Sequence, residues 1–259
     1  MRTLGIVQAR LCSTRMPGKV LLPLDGETTL LECVLRAMRD AGPCLDEILV
    51  AVSDNPSDDR LVDFCVERKV RVFRGPEEDV LGRYLAVLER NPCDCCVRVC
   101  CDNPFLDSEL LRELVAFFVK TRPDYAGYVV PSSGRPAICT PTGLVAECVR
   151  PGALARLLDS APPPEIAQHV TLGIYSGGAF HCEWLPLPEW AARGWLRLTC
   201  DTADDVERLR GLFASEAPRR PREALVEWIA RRDDIRGAME AENARHAKPA
   251  VRIDTFGPG

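Results

Sequence analysis

The 259-residue chain has no window of roughly 18 continuous apolar residues, so nothing in it has the length of a membrane-spanning helix. Nor has it an excess of positive charge. Its 33 Lys and Arg stand against 38 Asp and Glu, a formal net charge of −5, and no global basic field is present to draw in nucleic acid. Any anion that binds must therefore be held by a local cluster. There are three histidines, and the residues around them assign none of the three a role. The Walker spacing G-x-x-x-x-G-K-[ST] is missing, because Gly18-Lys19 is followed by Val20. Repeats, heptad arrays and low-complexity segments are absent too. Met1 leads directly into an apolar run with no signal-peptide anatomy, from which a cytoplasmic protein is expected. In that compartment the thirteen cysteines read as reduced thiols rather than as a disulfide framework.

What the chain does have is the composition of a folded soluble protein, 46% hydrophobic and 27% charged. Its length suits one large α/β domain, read here as residues 1–232 with a segment of about 131–195 inserted, followed by a polar tail over 233–259. The organising stretch is the first twenty residues. Leu4-Gly5-Ile6-Val7 is an apolar run of strand length, and it empties into a loop that collects Arg10, Ser13, Thr14, Arg15, Gly18 and Lys19. Fixed positive charges, hydroxyls and a glycine that admits close backbone approach are what a polyphosphate requires. The competing reading is a solvated basic loop after a first strand.

Further along, Thr28 to Asp40 has apolar residues at helical spacing, and Ile48 to Val52 fits a parallel strand covered on both faces. Ser57 is placed to cap a helix whose first turn holds Asp58 and Asp59. A strand at Val70–Phe73, a helix over Glu77–Glu89 and an apolar segment at Cys93–Cys100 follow. That segment stops at Cys101-Asp102-Asn103-Pro104, where an open α/β sheet presents its ligand site. A helix capped by Asp107 or Ser108, a strand over 124–130 and a loop at Pro131–Pro141 come next, and the loop could line a substrate site. Strands are expected at 144–149, 180–184 and 196–200, with helices at 151–160 and 224–230. The strand at 196–200 ends in Asp201-Thr202-Ala203-Asp204-Asp205, a second acidic strand end. Asp102 and Asp201 could hold a divalent cation while Arg10, Arg15 and Lys19 hold phosphates, since magnesium takes one or two carboxylates together with substrate phosphates and water.

In this set of residues the chain resembles the cytidylyltransferases that make CMP-activated sugars, most closely the spore-coat polysaccharide type, with the CMP-3-deoxy-manno-octulosonate and acylneuraminate synthetases more distant. The resembling motifs are Gln8-Ala9-Arg10, Ser13-Thr14-Arg15, Pro17-Gly18-Lys19, Ser53-Asp54-Asn55-Pro56, Phe73-Arg74-Gly75, Glu78-Asp79-Val80-Leu81, Arg98, Asp102-Asn103-Pro104, His169-Val170-Thr171 and Asp201-Thr202. The resemblance implies an α/β fold of the nucleotide-diphospho-sugar transferase (Rossmann-like) type, a mixed, mostly parallel sheet flanked by helices. It implies transfer of CMP from CTP to a sugar acid or related acceptor, with pyrophosphate released. Arg15, Lys19, Asp102 and Asp201 would be catalytic, and Asp102 and Asp201 would hold Mg2+. Nucleotide contacts would come from Gln8, Ala9, Arg10, Ser13, Thr14, Arg15, Lys19, Ser53, Asp54, Arg74, Asp79 and Arg98. Acceptor contacts would come from Arg135, Gly143, Glu147 and His169, and the enzyme would be a homodimer.

Departures from the family pattern fall mostly on the acceptor half. Cys100-Cys101 stand where many relatives have glycine before the first aspartate. Val145 follows Pro141-Thr142-Gly143-Leu144 where an acidic residue is frequent, and Gln168 precedes His169 where a charged one is. Two rival functions keep the fold: transfer from another nucleotide (GTP or UTP) or to a phosphonate or phosphate acceptor, and a non-catalytic nucleotide-binding subunit. A third rival, a cysteine-based metal or redox protein, draws on Cys93, Cys95, Cys96, Cys100 and Cys101, but these alternate along one strand instead of forming two knuckles and read as small core residues. Asp58, Asp59, Asp204 and Asp205 are read as helix-start charges.

Overall fold

The structure, a computed structural model, describes residues 1–13, 16–215 and 221–246. Its centre is an eight-stranded sheet. β1 (Thr3–Gln8) lies between β4 (Glu47–Ser53) and β6 (Cys95–Cys100), parallel to both, and β5 (Arg71–Gly75) continues the parallel set beyond β4. On the other side β9 (Glu147–Val149) runs antiparallel to β6 and to β7 (Tyr125–Val130), and β10 (Cys182–Pro186) pairs parallel with β7. The short β8 (Arg135–Pro136) adds to β7 as a hairpin. A separate two-stranded ribbon joins β2 (Pro23–Asp25) to β3 (Thr28–Thr29). The sheet is therefore mixed and mostly parallel, as expected.

Both faces of the sheet are covered, and the strands read as unbroken apolar runs for that reason. Successive side chains alternate sides: Val50 and Val52 enter one core, Leu49 and Ala51 the other. The first face is packed by α1 (Leu30–Asp40), α2 (Asp59–Glu67), α4 (Ser108–Thr121), α8 (Ala203–Ala214), α9 (Arg222–Ala230) and α10 (Asp233–Arg245). The second is packed by α3 (Val80–Arg90), α5 (Pro151–Asp159) and α7 (Leu172–Ser176), with the single turn α6 (Pro164–Ala167) leading into α7. The cysteines of the β6 segment behave as core: Cys95 and Cys96 are wholly buried on opposite faces, and none of the thirteen cysteines is in a disulfide.

Four local expectations are corrected. Thr28 and Thr29 are not the first helical residues. They close the β2–β3 ribbon, and Thr29 then caps α1 through a reciprocal box with Glu32. Ser57 does not cap α2; its own N–H is accepted by Asn55, and the helix starts at Asp59. Residues 196–200 are not a strand. The N–H groups of Leu198 and Thr199 both reach the Pro141 carbonyl (2.9 and 3.3 Å), and Cys200 N–H reaches the Asp102 carbonyl (2.8 Å), so the segment bridges two loops and joins no ladder. The stretch after Arg232 is not a uniform polar tail: α10 buries Met239 and Glu242. No helix among the described residues is long and apolar enough to cross a membrane.

Candidate active site

Strands β1, β4, β5 and β6 are parallel, so their carboxyl ends share one edge, where the loops 9–19, 53–58, 75–79 and 100–103 meet. In the first loop Gly18 has φ +76°, a left-handed turn that glycine adopts without strain, and its N–H closes back on the Leu11 carbonyl at 2.8 Å. That turn starts the short helical stretch Lys19–Leu21 and sends the Lys19 side chain across the edge. Lys19 Nζ donates to the Cys200 carbonyl at 2.7 Å and lies 3.3 Å from Asp201 Oδ1 and 3.6 Å from Asp102 Oδ2. Three residues from three distant parts of the sequence thus converge on one point.

The electrostatics of that point follow from its burial. Desolvation disfavours the Lys19 ammonium, but the Asp102 and Asp201 carboxylates outweigh it and hold its pKa above the ordinary lysine value. The backbone bond from Cys200 to Asp102 ties the two acidic ends together, so the carboxylates are neighbours by construction. Asp201 is oriented from behind by Asp205, whose Oδ2 accepts the N–H groups of Asp201 (2.9 Å) and Thr202 (3.0 Å). Asp205 is wholly buried, held by Arg197 Nε and Nη2, each donating at 2.7 Å, and by Arg208. Burial pushes its pKa up and the Arg197 hydrogen bonds pull it down further, leaving it below the usual carboxylate value.

The remaining loops are braced by two more acids. Asp58 is wholly buried; it accepts the Leu11 N–H (2.7 Å), and the Ser53 N–H (3.1 Å) and hydroxyl, joining the first loop to the end of β4. Glu77 accepts from the Cys12 thiol and from Asn55 Nδ2, each at 2.6 Å. Burial first, and then the Glu77 bond, push the Cys12 thiol up to about 11, so it is a neutral donor at neutral pH.

The structure brings some of the expected site residues to this edge and gives others structural partners. Gln8 and Ala9 end β1 there, Arg10 is exposed just beyond, and Ser13 closes the turn by bonding Met16 N–H. Thr14 and Arg15 lie outside the described residues. Arg74 bonds Asp59 and the carbonyls of Asp54 and Asn55, and Asp79 caps α3 by accepting the Gly82 N–H. Arg98 and Glu147, directly opposite in the β6–β9 register, pair with each other, and Glu147 also accepts from Tyr125 (2.7 Å) and Thr171 (2.9 Å). Glu147 is wholly buried, so its carboxylate anchors the turn at 169–171 and leaves His169 exposed on the surface. Val170 in that turn has φ +59° while fully buried, a strained conformation for a β-branched residue. Gly143 has φ +67°, and a Cβ there would stand 2.7 Å from the Leu198 carbonyl carbon. Its role is close packing against the 198–199 backbone. Arg135 sits half-buried on β8.

Sequence reasoning missed Asp58, Arg197, Asp205 and Glu242. The one signal available for Asp205 was the Thr202-x-x-Asp205 spacing of a capping box, a pattern that the structure fulfils.

Chemically, Asp102 and Asp201 both present carboxylate oxygens to the Lys19 ammonium. Hard oxygens of this kind are what magnesium takes when substrate phosphates and water complete its shell, so the two side chains are chemically suited to such an ion. Among the described residues no larger group of His, Cys, Asp or Glu is arranged to hold a metal.

Comparison with known proteins identifies the family. A family profile described as cytidylyltransferase matches residues 4–172. The chain is 33% identical over 246 residues to the spore coat polysaccharide biosynthesis protein SpsF of Bacillus subtilis, spanning 92% of this chain and 98% of that protein. It is 32% identical over 119 residues to a 3-deoxy-manno-octulosonate cytidylyltransferase of Cytophaga hutchinsonii, covering 42% of this chain and 43% of the other. Among solved structures, a cytidylyltransferase from Leptospira borgpetersenii superposes with a TM-score of 0.80 at 25% identity, over 91% of this chain and 96% of that one.

Proposed function

The chain belongs to the cytidylyltransferase family, and on that premise we propose that it transfers CMP from CTP to a sugar acid or a related acidic acceptor, releasing pyrophosphate, with Mg2+ held by Asp102 and Asp201. The observation that carries the reading is the convergence of Lys19, Asp102 and Asp201 on one point at the carboxyl edge of the parallel strands. An acceptor oxygen attacks the α-phosphorus in line, and the chain's task is to position the groups and neutralise charge. Bound magnesium supplies Lewis-acid polarisation of the phosphate oxygens. Arg10, Arg15 and Lys19 hold the phosphates, and Lys19 follows the negative charge as it moves to the leaving pyrophosphate. Gln8, Ala9, Ser13 and Thr14 contact the nucleotide together with Ser53, Asp54, Arg74 and Asp79 from the ends of β4 and β5 and the segments that follow them.

The segment 131–195 takes the acceptor, with His169, Arg135 and Gly143 as its contacts. Glu147 serves this half by holding the 169–171 turn. The same reading makes the enzyme a cytoplasmic homodimer, which sedimentation over a concentration series checks.

The test is pyrophosphate release from CTP, GTP, UTP and ATP with Mg2+ across a panel of acidic sugars and phosphonates. Release with CTP and one acidic sugar, absent in Asp102→Asn and Asp201→Asn, is the expected result. Tight nucleotide binding without release for any pair would favour a non-catalytic subunit.

A further inference from the structure

The backbone that carries Asp201 has no sheet ladder to hold it, and its support comes from an unexpected quarter. Helix α10 lies beyond the residues matched by the family profile, and its buried residues are Met239 and Glu242. Two consecutive side chains of this helix grip the two ends of the irregular stretch 194–202. Asn243 Nδ2 donates to the carbonyls of Gly194 (3.3 Å) and Trp195 (3.1 Å). Glu242 Oε1 accepts the Thr202 hydroxyl at 2.8 Å. Between these two grips lie Arg197, Cys200 and Asp201.

The Thr202 hydroxyl has one proton to give and lone pairs to accept with. It accepts the Asp205 N–H at 3.2 Å and donates its proton to Glu242, so the carboxylate fixes the direction of the whole relay. Asp205 in turn receives the N–H groups of Asp201 and Thr202. Glu242 is 3% exposed and is further paired with Arg245 (3.2 Å) and His246 (3.3 Å). A carboxylate is costly to bury and survives where its lone pairs are used. Here they are used on the residue next to Asp201 and on the helix's own last turn.

We infer that Glu242 and Asn243 form a clasp by which helix α10 positions Asp201 for its cation. They are positioning residues. The inference rests on the proposed function only in taking Asp201 as a metal ligand.

The test uses the full chain and Mn2+ as the probe, with affinity in the presence of CTP read from water-proton relaxation and thermal unfolding followed in parallel. Glu242→Ala is expected to weaken Mn2+ by about three- to tenfold, the loss of one hydrogen bond's orientation. Glu242→Gln keeps an acceptor for Thr202 and is expected to restore affinity to within about twofold. Asn243→Ala, at the other end of the clasp, is expected to weaken Mn2+ by about two- to threefold, and carries the test if Glu242→Ala does not fold. Wild-type Mn2+ affinity in both Ala variants, with only a lower Tm, would overturn the clasp while leaving the metal reading intact. Absence of any Mn2+ binding by the wild-type protein with CTP would refute the metal reading and the clasp with it.

Discussion

Asp205→Ala should be among the most damaging single changes on the first face of the sheet, although the residue looks in the sequence like an ordinary helix-start acid. The Arg197 side chain is 4% exposed and Asp205 is wholly buried, so removing the carboxylate strands a buried guanidinium. Breaking one partner of a buried ion pair costs about 3–5 kcal/mol. The N–H groups of Asp201 and Thr202 lose their acceptor as well, and each orphaned buried donor adds about 1 kcal/mol or more. A loss of about 5 kcal/mol lowers Tm by roughly 10–20 °C for a chain of this size.

The control is Asp204→Ala, one residue earlier, whose side chain is 72% exposed and 3.7 Å from Arg245. It should change stability by no more than about 0.5 kcal/mol. Urea unfolding of both variants reads the difference. The pH dependence has a fixed sign. The folded-state pKa of Asp205 lies below the unfolded value of about 3.9, so its stabilisation is full above that value and is lost as pH falls through the folded value. The gap between wild type and Asp205→Ala should therefore be level from pH 7 to 5 and close below about pH 4. A gap under about 1 kcal/mol at pH 7 would refute the reasoning, because a desolvated guanidinium cannot be left unpaired so cheaply.

Other outcomes follow from single sites. Lys19→Met should lower kcat/KM by about 10²–10³, the range for one preorganised cationic or donor group, and Lys19→Arg should not restore it because the space between two carboxylates is set for a point charge. Since the Lys19 pKa is raised on folding, its stabilisation is present below the unfolded value of about 10.4 and is lost as pH rises through the folded one, so alkaline unfolding should shift in Lys19→Met. Gly143→Ala combines a left-handed backbone, about 1–2 kcal/mol for an L-residue, with a 2.7 Å clash against the Leu198 backbone, and should destabilise by more than that strain alone in urea unfolding. Ellman's reagent should titrate thirteen thiols in guanidinium, but should react slowly with Cys33 and Cys65 in the native protein at pH 7, since burial pushes Cys33 up to about 12 and Cys65 to about 11.

The layout of the fold was legible because it rests on local periodicity. The apolar runs at Leu4–Val7 and Ile48–Val52 are parallel strands, and the acidic stops at Asp102 and Asp201 do face the basic loop. What stayed hidden is decided by tertiary partners. A first-turn acid is favourable on dipole grounds wherever it points. Whether Asp58 turns inward depends on Leu11, 47 residues away, and the use of Glu242 depends on Thr202, 40 residues away. Likewise Arg98 and Glu147 become partners only through the antiparallel β6–β9 register. The 196–200 run has strand composition, but its N–H groups are claimed by the Pro141 and Asp102 carbonyls, and composition carries no record of that.

The central claim is which bond of CTP is broken, and two labels of one substrate decide it. With Mg2+ and the acceptor that supports pyrophosphate release, label at the α-phosphorus of CTP should appear in the acceptor and label at the γ-phosphorus should leave as pyrophosphate, both lost in Asp201→Asn. Label from the γ-position in the acceptor, or free CMP as the sole α-labelled product, would contradict nucleotidyl transfer at this site.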